Sequence, residues 1–140
     1  MPRSQRASDA LADLKAVGFP VVGRNARFGQ SAGGVESMPE MSMAQQLDDD
    51  GIPYVTQYFF SPHSKHRADF FIDVGKTLIV EVQGGTRIAY SGHTSGDGYL
   101  RDCRKMAMAQ ILGHQVLYVT SEQVYSGEAL VLIRRILGAG

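Results

Sequence analysis

Between Ser37 and Leu137 the apolar residues recur with two different periods, and the points where the period changes divide the chain into elements. Ser37-Met38-Pro39-Glu40 reads as a capping box with proline in the first turn, and Met41, Ala44 and Leu47 follow at helical spacing until Asp48-Asp49-Asp50-Gly51. This predicts a helix of about three turns. After Ile52-Pro53 come three strand-like runs, Tyr54 to Phe60, Arg67 to Val74 and Leu78 to Gln83, joined by Ser61-Pro62-His63-Ser64 and by Gly75-Lys76. Two connections this tight make an antiparallel meander. Residues 84–98 show neither period and hold five of the 16 glycines, which predicts a long loop. Helical spacing returns over residues 99–112, with Leu100, Cys103, Ala107 and Ile111 on the apolar face. Gly113 stops that helix, Gln115 to Thr120 reads as a strand, and a last apolar helix runs from about Gly127 to Leu137.

The passage from Leu78 through a helix to Thr120 requires its two strands to be parallel if they share a sheet, so the sheet is mixed. The expected fold is α/β: helix, three-strand antiparallel meander, helix, strand, helix, with a mixed central sheet flanked by helices. Its 140 residues suit one core, placed at residues 36–140. Residues 1–35 are poor in large apolar side chains and are expected to form a basic flexible arm, mobile or ordered by a partner, with at most a short helix from Ser8 to Val17.

Charge refines this division. The arm carries five bases and two acids, residues 36–60 carry five acids and no base, and the whole chain balances 14 against 14. A nucleic-acid partner would therefore be met by local rather than net positive charge. One cysteine, Cys103, excludes an internal disulfide and a multi-thiolate zinc site, and is expected to pack on its helix. The four histidines lack zinc-binding spacing. With no long apolar run, the chain is expected to be soluble and cytoplasmic, with no membrane partner and no nucleotide cofactor.

The informative acids lie in the strands. Asp69, Phe71 and Asp73 share one face of the second run, and Glu81 and Gln83 share one face of the third. A hairpin through Gly75-Lys76 can set Asp69 or Asp73 beside Glu81, where two carboxylates repel unless a cation or proton intervenes. Magnesium, which takes carboxylate and water oxygens, is the natural cation. Ordinary pairing with nearby bases is the plainer account, but Glu81 sits inside the apolar run LIVEVQ, where an unpaired charge is costly. Glu40 is explained by its cap position, yet it borders the buried helix face. Asp102 and Lys105 form an ordinary i,i+3 pair on the charged side of the following helix, beside Arg101 and Arg104.

Three stretches in order, Arg67-Ala68-Asp69-Phe70, Ile79-Val80-Glu81-Val82-Gln83-Gly84-Gly85, and Gly92-His93 followed by Gly98-Tyr99, Asp102, Lys105 and Leu112 to Leu117, resemble the PD-(D/E)XK nuclease superfamily, and within it the small phage and prophage endonucleases related to the very-short-patch-repair type. The resemblance covers residues 37 to 137. It implies a restriction-endonuclease-like core and a metal site made by Asp69, Glu81 and the main-chain carbonyl of Val82, with Glu40 assisting. Two positions depart from the family pattern: Ala68 replaces the proline before the first acid, and Gln83 replaces the lysine that positions the attacking water. Relatives with that second change move the cation to the next helix, where Lys105 is the available lysine.

The expected function is a metal-dependent endonuclease, a deoxyribonuclease using Mg2+ or substituting Mn2+, for DNA repair or recombination in a bacterial or phage-infected host cell. Asp69 and Glu81 would bind metal, Lys105 and Gln83 would place the water, and His93 would contact the scissile phosphate. Arg24, Arg27, Arg87, Arg101 and Arg104 would hold the backbone. A monomer would nick, whereas cleaving branched DNA calls for a homodimer. Activity should rise above neutrality if a metal-bound water must ionise. The alternative is a nuclease fold retained as a DNA-binding or assembly module, with Gln83 marking lost catalysis. RNA cleavage has less support, since no aromatic platform is visible, although Tyr90 or Tyr99 could stack a base.

Overall fold

A computed structural model describes residues 3–83 and 96–138. Helix α1 (Arg3–Ala16) is followed by α2 (Met38–Asp49), strands β1 (Val55–Phe59), β2 (Arg67–Asp73) and β3 (Thr77–Gln83), helix α3 (Gly96–Ile111), strand β4 (Gln115–Thr120), and helices α4 (Ser121–Ser126) and α5 (Glu128–Leu137). The four strands form one mixed sheet in the order β1-β2-β3-β4, antiparallel except for the parallel β3–β4 pair. The architecture is α/β, as the hydrophobic pattern implied.

The order of elements differs from the expected one by two helices. Thr120, at the end of β4, accepts the Gln123 N–H through its hydroxyl while the Gln123 side chain accepts the Thr120 N–H, so a capping box starts α4 where the strand stops. Gly127 then adopts φ 88°, a conformation that separates α4 from α5. The second extra helix, α1, begins earlier than the short helix expected at Ser8 to Val17.

Residues 19–32, placed in the expected arm, run beside β1. Gly29 N–H donates to Phe59 O, Phe59 N–H to Gln30 O and Ala32 N–H to Gln57 O, while the Asn25 side chain holds Ser61 O and Ser64 O. Hydrogen bonds to backbone groups make most of this docking, with Phe19 packed at the core's margin, which explains why the apolar pattern did not show it.

Two cores sandwich the sheet. On one face Met43 and Leu47 of α2, Val124, and Ala129 and Ile133 cover Phe70, Ile72, Leu78 and Val80. On the other, Met108 and Ala109 of α3 cover Phe71 and Ile79, with Leu14 and Phe19 packed at the margin. Burial of this kind contributes roughly 1.5–3 kcal/mol per large side chain. The buried face of α3 is not the expected one: Cys103 is exposed, as are Leu100 and Ile111, and the helix instead turns Lys105, Met108 and Ala109 toward the sheet. The reason lies beneath it, because the sheet under the first half of α3 presents carboxylates.

Candidate active site

The β2–β3 ladder is regular from Asp73↔Thr77 to Phe70↔Val80. One step further the two acids stand opposite each other and the pairing changes character. Asp69 N–H donates to Glu81 Oε2 at 2.8 Å, and Val82 N–H donates to Asp69 Oδ2 at 2.9 Å. Each carboxylate thus caps the backbone of the other strand, so both side chains are held at the end of the sheet where β3 and β4 finish. Asp73, the other acid considered as Glu81's neighbour, sits exposed at the opposite end of β2 and accepts from Gly75 N–H.

Lys105 reaches down from α3 and pairs with Glu81 Oε1. The Asp102–Lys105 helix pair expected from spacing gives way to this contact, since a buried carboxylate attracts an ammonium more strongly than an exposed one does. From the other face, α2 presents Glu40. Ser37 Oγ accepts the Glu40 N–H at 3.3 Å, and the Glu40 carboxylate accepts in turn from the Ser37 hydroxyl and the Glu36 N–H. Only half of the expected capping box forms, and Glu40 is left buried with its charge facing Asp69.

Asp69 and Glu81 therefore share the ammonium of Lys105, while Glu40 faces Asp69, and their acidities record it. Burial, opposed by Lys105 and reinforced by Asp69, pushes Glu81 up to about 7. Burial also raises Asp69, against the Val82 N–H, Lys105 and the Gln57 amide. Glu40 is raised by burial and by Asp69.

Gln57 is a residue that sequence reasoning missed. It is buried in β1 with φ 46°, the only non-glycine with positive φ among the described residues. The β1–β2 pairing passes over it, from Thr56↔Phe70 to Tyr58↔Ala68, and its side chain donates to Asp69. Left-handed backbone is costly for glutamine, and such positions collect at functional sites. A polar residue between Thr56 and Tyr58 carried no signal of this conformation.

Clefts open on both sides of α3. One, of about 650 Å³, is lined by Val22, Lys65, His66, Asp97, Arg101 and Arg104 among others. It gathers two of the arginines expected to meet DNA and adds Lys65 and His66. The His66 ring, buried and beside Lys105 and Arg101, is pushed down to about 4 and stays neutral, with Nδ1 3.0 Å from Ser64 Oγ. The second cleft, about 560 Å³, includes Gln83 and Tyr118. Burial, with Asp102 nearby, raises the Tyr118 hydroxyl to about 12, so it remains protonated. Of the other expected DNA contacts, Arg24 is exposed and is not among the residues lining the cationic cleft, and Arg27 lies over the Phe59 ring at 4.6 Å. Arg87 and His93 lie outside the described residues, as does Tyr90.

Among the described residues no three His, Cys, Asp or Glu side chains are gathered as a ready metal-binding group, and no helix is long and apolar enough to cross a membrane. No protein-family model matches the chain, and no curated protein or solved structure is similar to it beyond chance.

Proposed function

We propose that the chain is a Mg2+-dependent endonuclease of restriction-endonuclease-like fold that hydrolyses DNA phosphodiester bonds, with Mn2+ as a substitute. One observation carries this reading: Asp69 and Glu81 share one lysine at the end of the sheet, with Glu40 facing Asp69, beside a cleft lined by Lys65, Arg101 and Arg104. The surplus of buried negative charge suits a hard dication with oxygen ligands. Asp69, Glu81 and the Val82 carbonyl are the donors that would hold it, with Glu40 behind them. The bound ion would supply charge neutralisation at a phosphoryl oxygen and a water that ionises near neutral pH.

The chain's own groups then divide the work. Lys105 fixes the orientation of Glu81 and keeps a positive charge beside the carboxylates, where a phosphate's charge must be tolerated. Gln57 orients Asp69, and Arg101, Arg104 and Lys65 bind the backbone. Gln83, two residues beyond Glu81 on the same strand face, offers an amide to water or to the substrate. We place this activity in DNA repair or recombination in a bacterial or phage-infected cell, nicking as a monomer or cutting branched DNA as a homodimer.

A second reading is favoured by a specific contact. The Lys105–Glu81 pair, with both acids already capping backbone groups, is also what a fold that has exchanged catalysis for DNA binding or assembly would keep. Supercoiled plasmid and a branched oligonucleotide, incubated with Mg2+, Mn2+ or EDTA, separate the two. Cutting that needs the metal and disappears in Glu81→Ala supports the nuclease. DNA binding without cutting by folded protein, in either metal, overturns it.

A further inference from the structure

The cleft on the β4 side of α3 has a different chemistry from its cationic counterpart. Tyr99, Asp102 and Met106 come from the helix, and Gln83 and Tyr118 come from the sheet. Both tyrosines are open to solvent, with 68% and 42% of their surface exposed. Among the described residues no lysine or arginine lines this cleft, and Asp102 adds a negative charge. A phosphate suits that lining less than it suits the cleft across the helix, where Lys65, Arg101 and Arg104 outnumber Asp97.

We infer that the Tyr99–Tyr118 cleft receives the base of an unpaired nucleotide, so that the preferred substrate is DNA with a single-stranded or extruded base at the cleavage position. The inference deepens the nuclease proposal and rests on it for the identity of the ligand as DNA. Four observations support it. The cavity's volume, about 560 Å³, lies in the range of sites that enclose a small ligand and accommodates a nucleotide. Its aromatic walls stand on different elements, one on α3 and one on β4, so a flat ring can be held by either or between both. The polar groups are of the type that reads a base edge: the Gln83 amide donates and accepts, and the Asp102 carboxylate accepts from ring N–H or exocyclic amino groups. The position is also right, because Tyr118 stands opposite Glu81 in the parallel β3–β4 register and Gln83 follows Glu81 by two residues.

This arrangement separates the parts of a nucleotide by charge. The base enters a cleft whose described lining has an acid and no basic side chain, the flanking backbone lies on the cationic side, and the phosphodiester between them is brought over the carboxylates and Lys105. A duplex with every base stacked has nothing to place in the Tyr99–Tyr118 cleft, and extruding a paired base costs unstacking and unpairing free energy.

The test uses the full chain in EDTA, so that binding is measured without cleavage. Fluorescence anisotropy compares a labelled single-stranded oligonucleotide, its duplex, and the duplex carrying one unpaired nucleotide. Wild type should bind the single strand and the bulged duplex at least about tenfold more tightly than the perfect duplex. Tyr99→Ala and Tyr118→Leu should each weaken binding to unpaired DNA by about tenfold, and Tyr118→Phe, which keeps the ring, should not. A 2-aminopurine at the unpaired position should be quenched by wild type and less by Tyr118→Leu. Equal affinity for perfect duplex and bulged DNA, or tyrosine variants that weaken both alike, would overturn the inference while leaving the nuclease proposal to its own cleavage test. Ring-dependent binding of unpaired DNA without metal-dependent cutting would keep this cleft and reject the nuclease. An RNA strand bound more tightly than DNA of the same sequence would also overturn the assignment of DNA as the ligand.

Discussion

Two ion pairs in this molecule look alike and behave in opposite ways. Asp50 and Arg134 join the end of α2 to α5 on the surface through a forked contact, with Arg134 Nε 2.8 Å from Asp50 Oδ2. The hydrogen bonds from Arg134 hold the Asp50 carboxyl below its usual range. Glu81 also has a cationic partner, Lys105, yet its acidity moves the other way, up to about 7. The difference is burial and company. Glu81 is among the buried residues, with Asp69 beside it and Glu40 facing Asp69, so one ammonium serves two carboxylates and a third adds to their repulsion. The surface pair is a local staple, while the buried pair is the neutralised part of an over-charged cluster.

The largest expected effect separates those roles directly. Glu81→Gln, which keeps size and one hydrogen-bonding oxygen, should lower metal-dependent cleavage by at least about a hundredfold, and Asp50→Asn should leave cleavage unchanged. Lys105→Met gives the sharper result, because the ammonium and the metal compete for Glu81 while both serve the reaction. Titration of the resting protein with Mn2+ should show tighter binding than wild type, and cleavage of the same plasmid should fall by about a hundredfold. Weaker Mn2+ binding in Lys105→Met would show that the lysine builds the metal site rather than competing for it.

Next in size is the dependence of stability on pH, measured in EDTA by urea unfolding. A carboxyl raised on folding favours the folded state when protonated, so the share of stability tied to Glu81 is complete below about pH 4.5 and is lost as the pH rises to about 7. The loss is about 3 kcal/mol. His66 works in the reverse sense. Its folded value, lowered to about 4 from the usual 6.5, makes stability complete above pH 6.5 and lost as the pH falls toward 4. The two slopes oppose each other over pH 4.5 to 6.5, so wild type should be nearly flat there. Glu81→Gln should expose a fall in stability on acidification, and His66→Gln should expose a rise. Parallel slopes in the two variants would mean that the buried cluster is not titrating as its environment requires.

A smaller effect isolates Gln57, the neutral member of that cluster. Gln57→Ala removes the hydrogen bond to Asp69 and keeps the left-handed backbone, whereas Gln57→Gly removes the bond and relieves the backbone. The alanine variant should therefore be less stable than the glycine variant by about 1 kcal/mol in urea unfolding. Equal stabilities would show that the chain relaxes locally and that φ 46° costs nothing there.

How much of this was legible in the sequence depends on what carries each feature. The meander, the parallel crossover and the face of the sheet holding Asp69 and Glu81 follow from period-two alternation, which is local, and the strands appear within one or two residues of their expected limits. The buried face of α3 departs from the apolar pattern because its sheet-facing stripe contains Lys105, a residue that hydrophobic periodicity counts as outward. The docking of residues 19–32 and the conformation of Gln57 rest on backbone hydrogen bonds between segments distant in sequence, which leave no periodic trace. Glu40 illustrates the intermediate case: its place near the helix start was legible, but its turn toward Asp69 depends on the sheet behind it.

The smallest predicted effect returns to the surface pair. Removing it with Asp50→Asn, Arg134→Met or both should shift the melting temperature only slightly, because both ends remain accessible to water and the charges are screened by salt. The double variant should equal the sum of the singles with Lys105→Met, since the pairs lie on different elements and share no partner. At high salt the Asp50 variants should melt with wild type, whereas the cleavage deficit of Lys105→Met should persist, because the buried carboxylates are screened far less. Non-additivity between Arg134→Met and Lys105→Met would mean that α5 and α3 communicate through the sheet, and the surface staple would then have to be counted as part of the site.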